Sequence, residues 1–374
     1  MQFRNEIPVA RDKLLFTPGP LTTSQTVKEA MLRDAGSWHA DFNALVADLR
    51  TRLLRLAGLA REDGWEAILM QGSGTYGVEA VFQSCVPPDG KVAVLANGAY
   101  GERIVQMLKH ARIAHRVLRT AEDAPADAAA LEACLGEDSA ITHVAVVHCE
   151  TTTGILNPIE AVGRVAKRFG KCYVVDAMSS FGGMPINLPA CGIDFLISSS
   201  NKCIEGVPGF SFVLCRREAL LASEGWARSL SLDLLGQWKG FEKDGKFRYT
   251  PPTHVILAFD QAMRELEQEG GVEGRCARYR RNHETLLAGM RRLGFKPYLD
   301  SSLQSPLITA FLFPENGRFE FGQFYTALSE RGFIIYPGKL TRVDTFRIAN
   351  IGRLFPEDLE QLLAAIEAVL KKQS

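Results

Sequence analysis

Between about residues 66 and 215, short apolar runs alternate with longer stretches of helical periodicity, and this alternation constrains the fold more than any other feature of the chain. The runs at 67–70, 92–95, 144–147, 173–175, 195–197 and 212–214 are each long enough for one strand. Segments such as 78–84 and 159–169 carry helix-like spacing between them. Strands separated by helices form a mainly parallel sheet wrapped on both faces, so an α/β architecture is expected. In such sheets ligands collect at the carboxyl ends of the strands.

The pattern changes after Pro251-Pro252-Thr253-His254. A long helical stretch at 255–268, the Gly270-Gly271 break and a basic helix at 275–293 come next. Strand-like runs follow at 307–313, 334–336 and 345–348, before a closing helix at 356–371. The expected organisation is a segment 1–20 packing near the active site, a large domain 21–254 and a smaller C-terminal α+β domain 255–374. An alanine-rich stretch at 124–133 reads as an exposed helix.

Lysine plus arginine and aspartate plus glutamate each total 43, so the net charge is zero and no field draws the chain to nucleic acid or an anionic membrane. The first residues, with Arg4, Glu6, Arg11, Asp12 and Lys13, lack the apolar core of a signal peptide. No later run reaches the roughly 18 apolar residues of a spanning helix. A cytoplasmic protein is expected. The eight cysteines form no C-x-x-C pair and read as reduced core residues, and the seven histidines show no metal-ligand spacing, so no metal site is expected.

Chemistry enters with Lys202. It closes the turn Ser198-Ser199-Ser200-Asn201-Lys202, which leaves the apolar run Ile193-Asp194-Phe195-Leu196-Ile197. Burial at a strand end disfavours the ammonium form and leaves a nucleophilic amine, a candidate for a Schiff base. Twenty-six residues earlier, Tyr173-Val174-Val175 runs into Asp176. A carboxylate at one strand end and an amine at another match the needs of pyridoxal 5'-phosphate, whose ring nitrogen takes the first and whose aldehyde takes the second.

The turn Gln71-Gly72-Ser73-Gly74-Thr75-Tyr76-Gly77 lies between a strand and a helix. Its glycines let the backbone approach an anion, and the helix N-terminus that follows favours phosphate. The motif alone fits a dinucleotide site, a pyridoxal phosphate cup or a plain turn. A dinucleotide site would want an acidic residue at the end of the next strand. That strand ends instead in Leu95-Ala96-Asn97-Gly98-Ala99-Tyr100-Gly101, whose aromatic suits stacking on a flat ring.

Taken together, several segments resemble the class V aminotransferases of pyridoxal phosphate fold type I. They are Thr17-Pro18-Gly19-Pro20, the glycine-rich cup, Asn97 to Gly101, Glu150-Thr151-Thr152-Thr153-Gly154, Asp176-Ala177-Met178-Ser179-Ser180-Phe181-Gly182-Gly183 and Ser200-Asn201-Lys202. The resemblance implies a mainly parallel seven-stranded sheet in the large domain. Within the family, three further segments are similar to the branch that passes the amino group of 2-aminoethylphosphonate to pyruvate. These are Asn201-Lys202-Cys203-Ile204-Glu205-Gly206-Val207-Pro208-Gly209-Phe210, Arg228-Ser229-Leu230-Ser231-Leu232-Asp233-Leu234 and Phe346-Arg347-Ile348-Ala349-Asn350-Ile351-Gly352.

The resemblance implies a role for each matching residue. Lys202 would carry the cofactor's aldehyde and Asp176 would pair with the ring nitrogen. Tyr100 would stack on the ring, Ser73, Gly74 and Thr75 would hold the phosphate, and Thr152 and Asn201 would be polar neighbours of the cofactor. Thr250, in Arg248-Tyr249-Thr250-Pro251, matches a position that reaches the phosphate of the other subunit, which implies a homodimer with shared active sites. Arg347 would grip the substrate's phosphonate or carboxylate, and Pro18, Gly19 and Pro20 would line the same pocket. One segment departs from the pattern: Ser37-Trp38-His39-Ala40-Asp41-Phe42 has a histidine where relatives carry an acid. The implied reaction yields phosphonoacetaldehyde and L-alanine. The alternatives are another class V transaminase, such as an alanine- or serine-glyoxylate enzyme, and a nucleotide-dependent oxidoreductase built on Gly72 to Gly77.

Overall fold

The computed structural model describes residues 12–314, 319–339 and 342–373, so positions 1–11 of the expected N-terminal segment lie outside the described residues. Seven strands form the central sheet: β1 (Trp65–Gln71), β2 (Lys91–Ala96), β3 (Ala114–Arg119), β4 (Ile141–Val147), β5 (Cys172–Asp176), β6 (Phe195–Ser199) and β7 (Phe210–Arg216). Their spatial order is β1-β7-β6-β5-β4-β2-β3. All neighbours are parallel except β7, which runs antiparallel to both β1 and β6. The expected mainly parallel, seven-stranded α/β sheet is therefore present.

The interior strands are unbroken apolar runs because both of their faces are covered. Val144, Ala145 and Val146 of β4 and Val175 of β5 are fully buried. β3 is the strand that the alternation of apolar runs misses. It is an edge strand of sequence AHRVLR with no residue fully buried, and its His115, Arg116 and Arg119 break the apolar run. The alanine-rich helix spans Ala128–Glu137. Asp127 sets its start by accepting from the N–H groups of Ala129 and Ala130, and Leu131, Cys134 and Leu135 bury one face that the composition read as exposed.

Helices seal the sheet with apolar stripes at helical spacing. The helix Ile159–Arg168 buries Ile159, Val162, Val165 and Ala166, and between them Gly163 lets it meet the backbone of Cys191. The helix Thr253–Gln268 packs Ile256, Phe259, Met263 and Leu266 into the same core, with Phe259 set edge-on to Phe210 at 4.9 Å between ring centres.

A second core surrounds Phe346 and contains Phe295, Phe311 and Phe324. Its antiparallel sheet is β8 (Ile308–Leu312), β9 (Tyr336–Pro337) and β10 (Thr345–Ala349), with β10 in the middle. The helices Gly271–Arg292 and Pro356–Gln373 pack across it. The run expected at 334–336 is divided between Phe333–Ile334 and β9, with Ile335 buried between them.

The chain from Leu14 to Thr22 is bound into this second unit. Leu14–Leu15 pairs in parallel with Phe333–Ile334, Phe16 O accepts from Ala349 N at 3.0 Å, and Thr22 O accepts from Arg353 N at 2.8 Å. Thr17, Pro18, Gly19 and Pro20 are thereby carried past the ends of β5 and β6.

The closest of these contacts gives a stability test. A Cβ at position 163 would stand 1.8 Å from Cys191 O, a backbone atom that cannot swing aside. Gly163→Ala is expected to cost roughly 1–3 kcal/mol through overpacking, read as a lower urea midpoint at constant slope. An unchanged midpoint contradicts this packing.

Candidate active site

The carboxyl ends of β1, β2, β4, β5 and β6 point the same way, and a cavity opens there. Neighbouring strands bring its two principal groups together. Asp176 is the last residue of β5 and stands in register with Ile197 of β6, five positions before Lys202. Both line the cavity, as do Ser73, Thr75, Tyr100 and Asn201.

Burial sets the electrostatics of the pair. It pushes the Asp176 carboxyl up to about 6, with the nearby Glu150 carboxylate adding to the effect and the Met178 N–H, which donates to Oδ1 at 2.9 Å, opposing it. It pushes the Lys202 amine down to about 8, against the attraction of Asp176. At pH 7 roughly a tenth of such an amine is uncharged, hundreds of times more than for an ordinary lysine. Lys202 Nζ donates to Pro18 O at 2.5 Å. At Gly19, φ is +129°, and a Cβ there would lie 2.6 Å from that Nζ, so the turn approaches the amine closely because it has no side chain.

The phosphate cup is built by the helix Gly74–Cys85. Ser73 is its N-cap residue, yet its hydroxyl caps no helix N–H, which leaves it with the first amides of the helix at the cavity wall. Gly74 has no room for a side chain, since a Cβ would meet Met178 Sδ at 2.2 Å. The buried Ser199 Oγ also lines this cavity and has no hydrogen-bond partner among the described residues. Anion-binding amides, a carboxylate, an amine and an unsatisfied hydroxyl facing one space form a donor set that fits pyridoxal phosphate.

Tyr100 is held by a residue to which the sequence reading gave no role. Glu150 is fully buried, and burial pushes its carboxyl up. Its Oε2 accepts from Tyr100 N at 3.0 Å and Gly101 N at 3.2 Å, so it caps the helix Ala99–His110 from outside. Gly98 admits it, because a Cβ there would lie 2.3 Å from Glu150 Cγ. Thr152 is spent on the same arrangement. Its hydroxyl donates to Glu150 Oε1 at 2.6 Å and accepts from Ala99 N at 2.9 Å, and Thr152 is not among the residues lining the cavity.

Two cations that the sequence reading passed over lie against Tyr100. Arg103 lines the cavity with its guanidinium 4.8 Å from the ring centre and Nη1 3.4 Å from Thr75 Oγ1. Its place three residues after Tyr100 on a helix is a spacing from which it could have been read. Lys339 Nζ is also 4.8 Å from the ring, but it arrives from the second unit, and no local pattern announces it.

Arg347, on β10, is buried. Its Nε donates to Pro337 O at 2.9 Å and its Nη1 to Thr151 O at 2.7 Å, which leaves Nη2 for a ligand. Thr250 is exposed and lies outside the cavity of its own chain, in a separate hollow with Ser37, Trp38 and Lys246. The departing His39 is at the surface, 3.6 Å from Asp41.

The lysine loop is clamped from beneath. Glu205, buried with φ of +66°, accepts from Arg278 Nη2 at 2.7 Å and Tyr279 Oη at 2.6 Å. Arg275 Nη1 donates to Cys203 O at 2.6 Å, and Arg278 Nη1 to Gly352 O at 2.6 Å. The helix read as basic from its sequence thus turns two arginines inward, to bind the Lys202 loop to the chain that follows Arg347.

Comparison with known proteins is consistent with this geometry. Residues 24–342 match the family model described as aminotransferase class-V. The chain is 54% identical, over 96% of its length and 98% of the relative's, to the 2-aminoethylphosphonate–pyruvate transaminase of Klebsiella pneumoniae. Among solved structures it superposes on alanine–glyoxylate aminotransferase from Nostoc with a TM-score of 0.90 at 25% identity, covering 99% of this chain and 98% of that one. It also superposes on pyridoxamine-pyruvate aminotransferase from Mesorhizobium loti with a TM-score of 0.88 at 24% identity, covering 98% and 94%.

The shifted amine can be titrated directly. In the cofactor-free protein, arylation of Lys202 by a small reagent, mapped by mass spectrometry, should reach half its plateau rate near pH 8, where its amine loses its proton. Surface lysines should do so near their ordinary value of about 10.4. A midpoint for Lys202 that coincides with theirs contradicts the desolvated site.

Proposed function

This chain belongs to the class V aminotransferases, and on that premise we propose that it transfers the amino group of 2-aminoethylphosphonate to pyruvate, releasing phosphonoacetaldehyde and L-alanine. The observation that carries the reading is the meeting of a buried carboxylate and a buried amine at adjacent strand ends beside an open helix N-terminus. The printed name of its near-full-length relative supports the choice of substrates.

Bound here, pyridoxal phosphate supplies an aldehyde that captures amino groups and an electron-poor ring that accepts the electrons of a broken carbon–hydrogen bond. Ser73 Oγ and the N–H groups of Gly74 and Thr75 would hold its phosphate, Tyr100 would cover its ring with Asn201 beside it, and Lys202 would carry its aldehyde. Asp176, ionised above about pH 6, keeps a proton on the ring nitrogen. Lys202 Nζ, as a free amine, would take the proton from the donor's amino-bearing carbon, for which a base titrating near 8 is well matched. Arg347 Nη2 orients the phosphonate of the donor and then the carboxylate of pyruvate, beside the Pro18-Gly19-Pro20 turn. Thr152 acts through Glu150 by fixing the helix that presents Tyr100.

The exposed Trp38 and Tyr249 beside Thr250 support a homodimer, in which Thr250 completes the phosphate site of the partner subunit. No helix among the described residues is long and apolar enough to cross a membrane, and the eight cysteines are unpaired, which supports a cytoplasmic enzyme.

Purified holoenzyme should form alanine from pyruvate with 2-aminoethylphosphonate at a kcat/KM at least tenfold above that with taurine, serine or β-alanine. Lys202→Ala should abolish turnover. A panel in which 2-aminoethylphosphonate ranks no better than the others sinks the substrate assignment, and undiminished turnover by Lys202→Ala sinks the mechanism.

A further inference from the structure

Three cationic side chains gather around Tyr100, and among the described residues none has a carboxylate within ion-pair distance. Arg103 and Lys339 each lie 4.8 Å from its ring centre, and the Arg347 guanidinium lies 5.2 Å from the neighbouring Tyr336 ring. Glu150 is the nearby acid, but its oxygens are committed to Tyr100 N, Gly101 N and Thr152. Like charges held together without counter-ions are costly unless a ligand supplies the negative charge.

The three are not equivalent. Arg103 turns toward the phosphate cup through Thr75. Lys339 and Arg347 belong to the second unit and are held together. Pro337 O anchors Arg347 Nε, and Gly338 follows so tightly against β10 that a Cβ on it would lie 2.1 Å from Thr345 O. The chain therefore emerges at Lys339, an exposed residue outside the cavity lining, with its ammonium facing the ring of Tyr100, which does line the cavity. Burial, Arg103 and Arg347 all push the Lys339 amine down, and Glu150 alone opposes them.

We propose that Lys339 is a specificity-determining residue that shares the donor's tetrahedral phosphonate with Arg347, whereas a planar carboxylate is held by Arg347 without it. A phosphate monoester carries roughly 1.5 to 2 negative charges at neutral pH, and a phosphonate, with the same three oxygens on phosphorus, presents a similar dianion. The free Nη2 of Arg347 satisfies one edge of that group and leaves a third oxygen and a second charge. A second cation beside Arg347 meets this remainder, and the flexible, compact ammonium of a lysine can do so. A carboxylate has one charge and two oxygens, so the guanidinium suffices.

This inference rests on the phosphonate-donor reading, and binding of unreactive analogues separates the two. Ethylphosphonate and propionate, which lack the amino group, are titrated into wild-type, Lys339→Gln and Lys339→Arg holoenzyme by calorimetry, at a pH one unit above the phosphonate's second ionisation. The expected result is a loss of at least tenfold in ethylphosphonate affinity for Lys339→Gln, a change of under twofold for propionate, and recovery of most of the loss in Lys339→Arg. In turnover, the KM for 2-aminoethylphosphonate should rise by a similar factor while that for pyruvate stays within twofold. Equal weakening of both analogues, or no weakening of ethylphosphonate, overturns the proposal. If Lys339-dependent ethylphosphonate binding persists in an enzyme that does not transaminate 2-aminoethylphosphonate, the anion site stands and the substrate assignment falls.

Discussion

The removal of water from two ionisable groups, one on each of two neighbouring parallel strands, is the constraint on which the rest of this structure depends. A carboxyl raised to about 6 and an amine lowered to about 8 are both held away from their ordinary values by the same burial. They share one cavity without an ion pair between them, so each keeps its capacity for a ligand. The sheet achieves this through register. β5 and β6 are adjacent and parallel, and their carboxyl ends deliver Asp176 and the Lys202 loop to one side.

Holding an amine in that state requires a rigid surround. The N-terminal turn places Pro18 O against Lys202 Nζ, while Glu205, Arg275 and Arg278 fix the loop from below. These buried charges pair with one another at the junction of the two cores, yet Glu205 Oε2 and Arg275 Nη2 have no hydrogen-bond partner among the described residues, so the cluster serves position more than net stability. The same logic governs Tyr100, whose helix is capped by a carboxylate from the loop after β4 because Gly98 leaves room for it.

Much of this was legible in the sequence because it is local. Asp176 and Lys202 announce themselves as polar residues ending apolar runs, and the glycine-rich turn announces a strand-to-helix junction. β3 was not legible, since an edge strand lacks the double burial that makes its neighbours continuous apolar runs. Nor was the reversed direction of β7, which depends on pairing across the sheet. Arg103 carried a readable helical spacing from Tyr100. Glu150 and Lys339 carried none, because their roles arise from contacts about 50 and 240 positions away along the chain. Thr152, expected beside the cofactor, is spent on Glu150, a commitment that only the fold reveals.

Among the described residues that line this pocket, Lys202 is the one amine available to an aldehyde. Borohydride reduction of the holoenzyme followed by peptide mapping tests it most directly. One pyridoxyl group per chain should be fixed on Lys202, with loss of the visible absorption band in step with labelling. Labelling spread over several lysines, or confined to another such as Lys339, would contradict it.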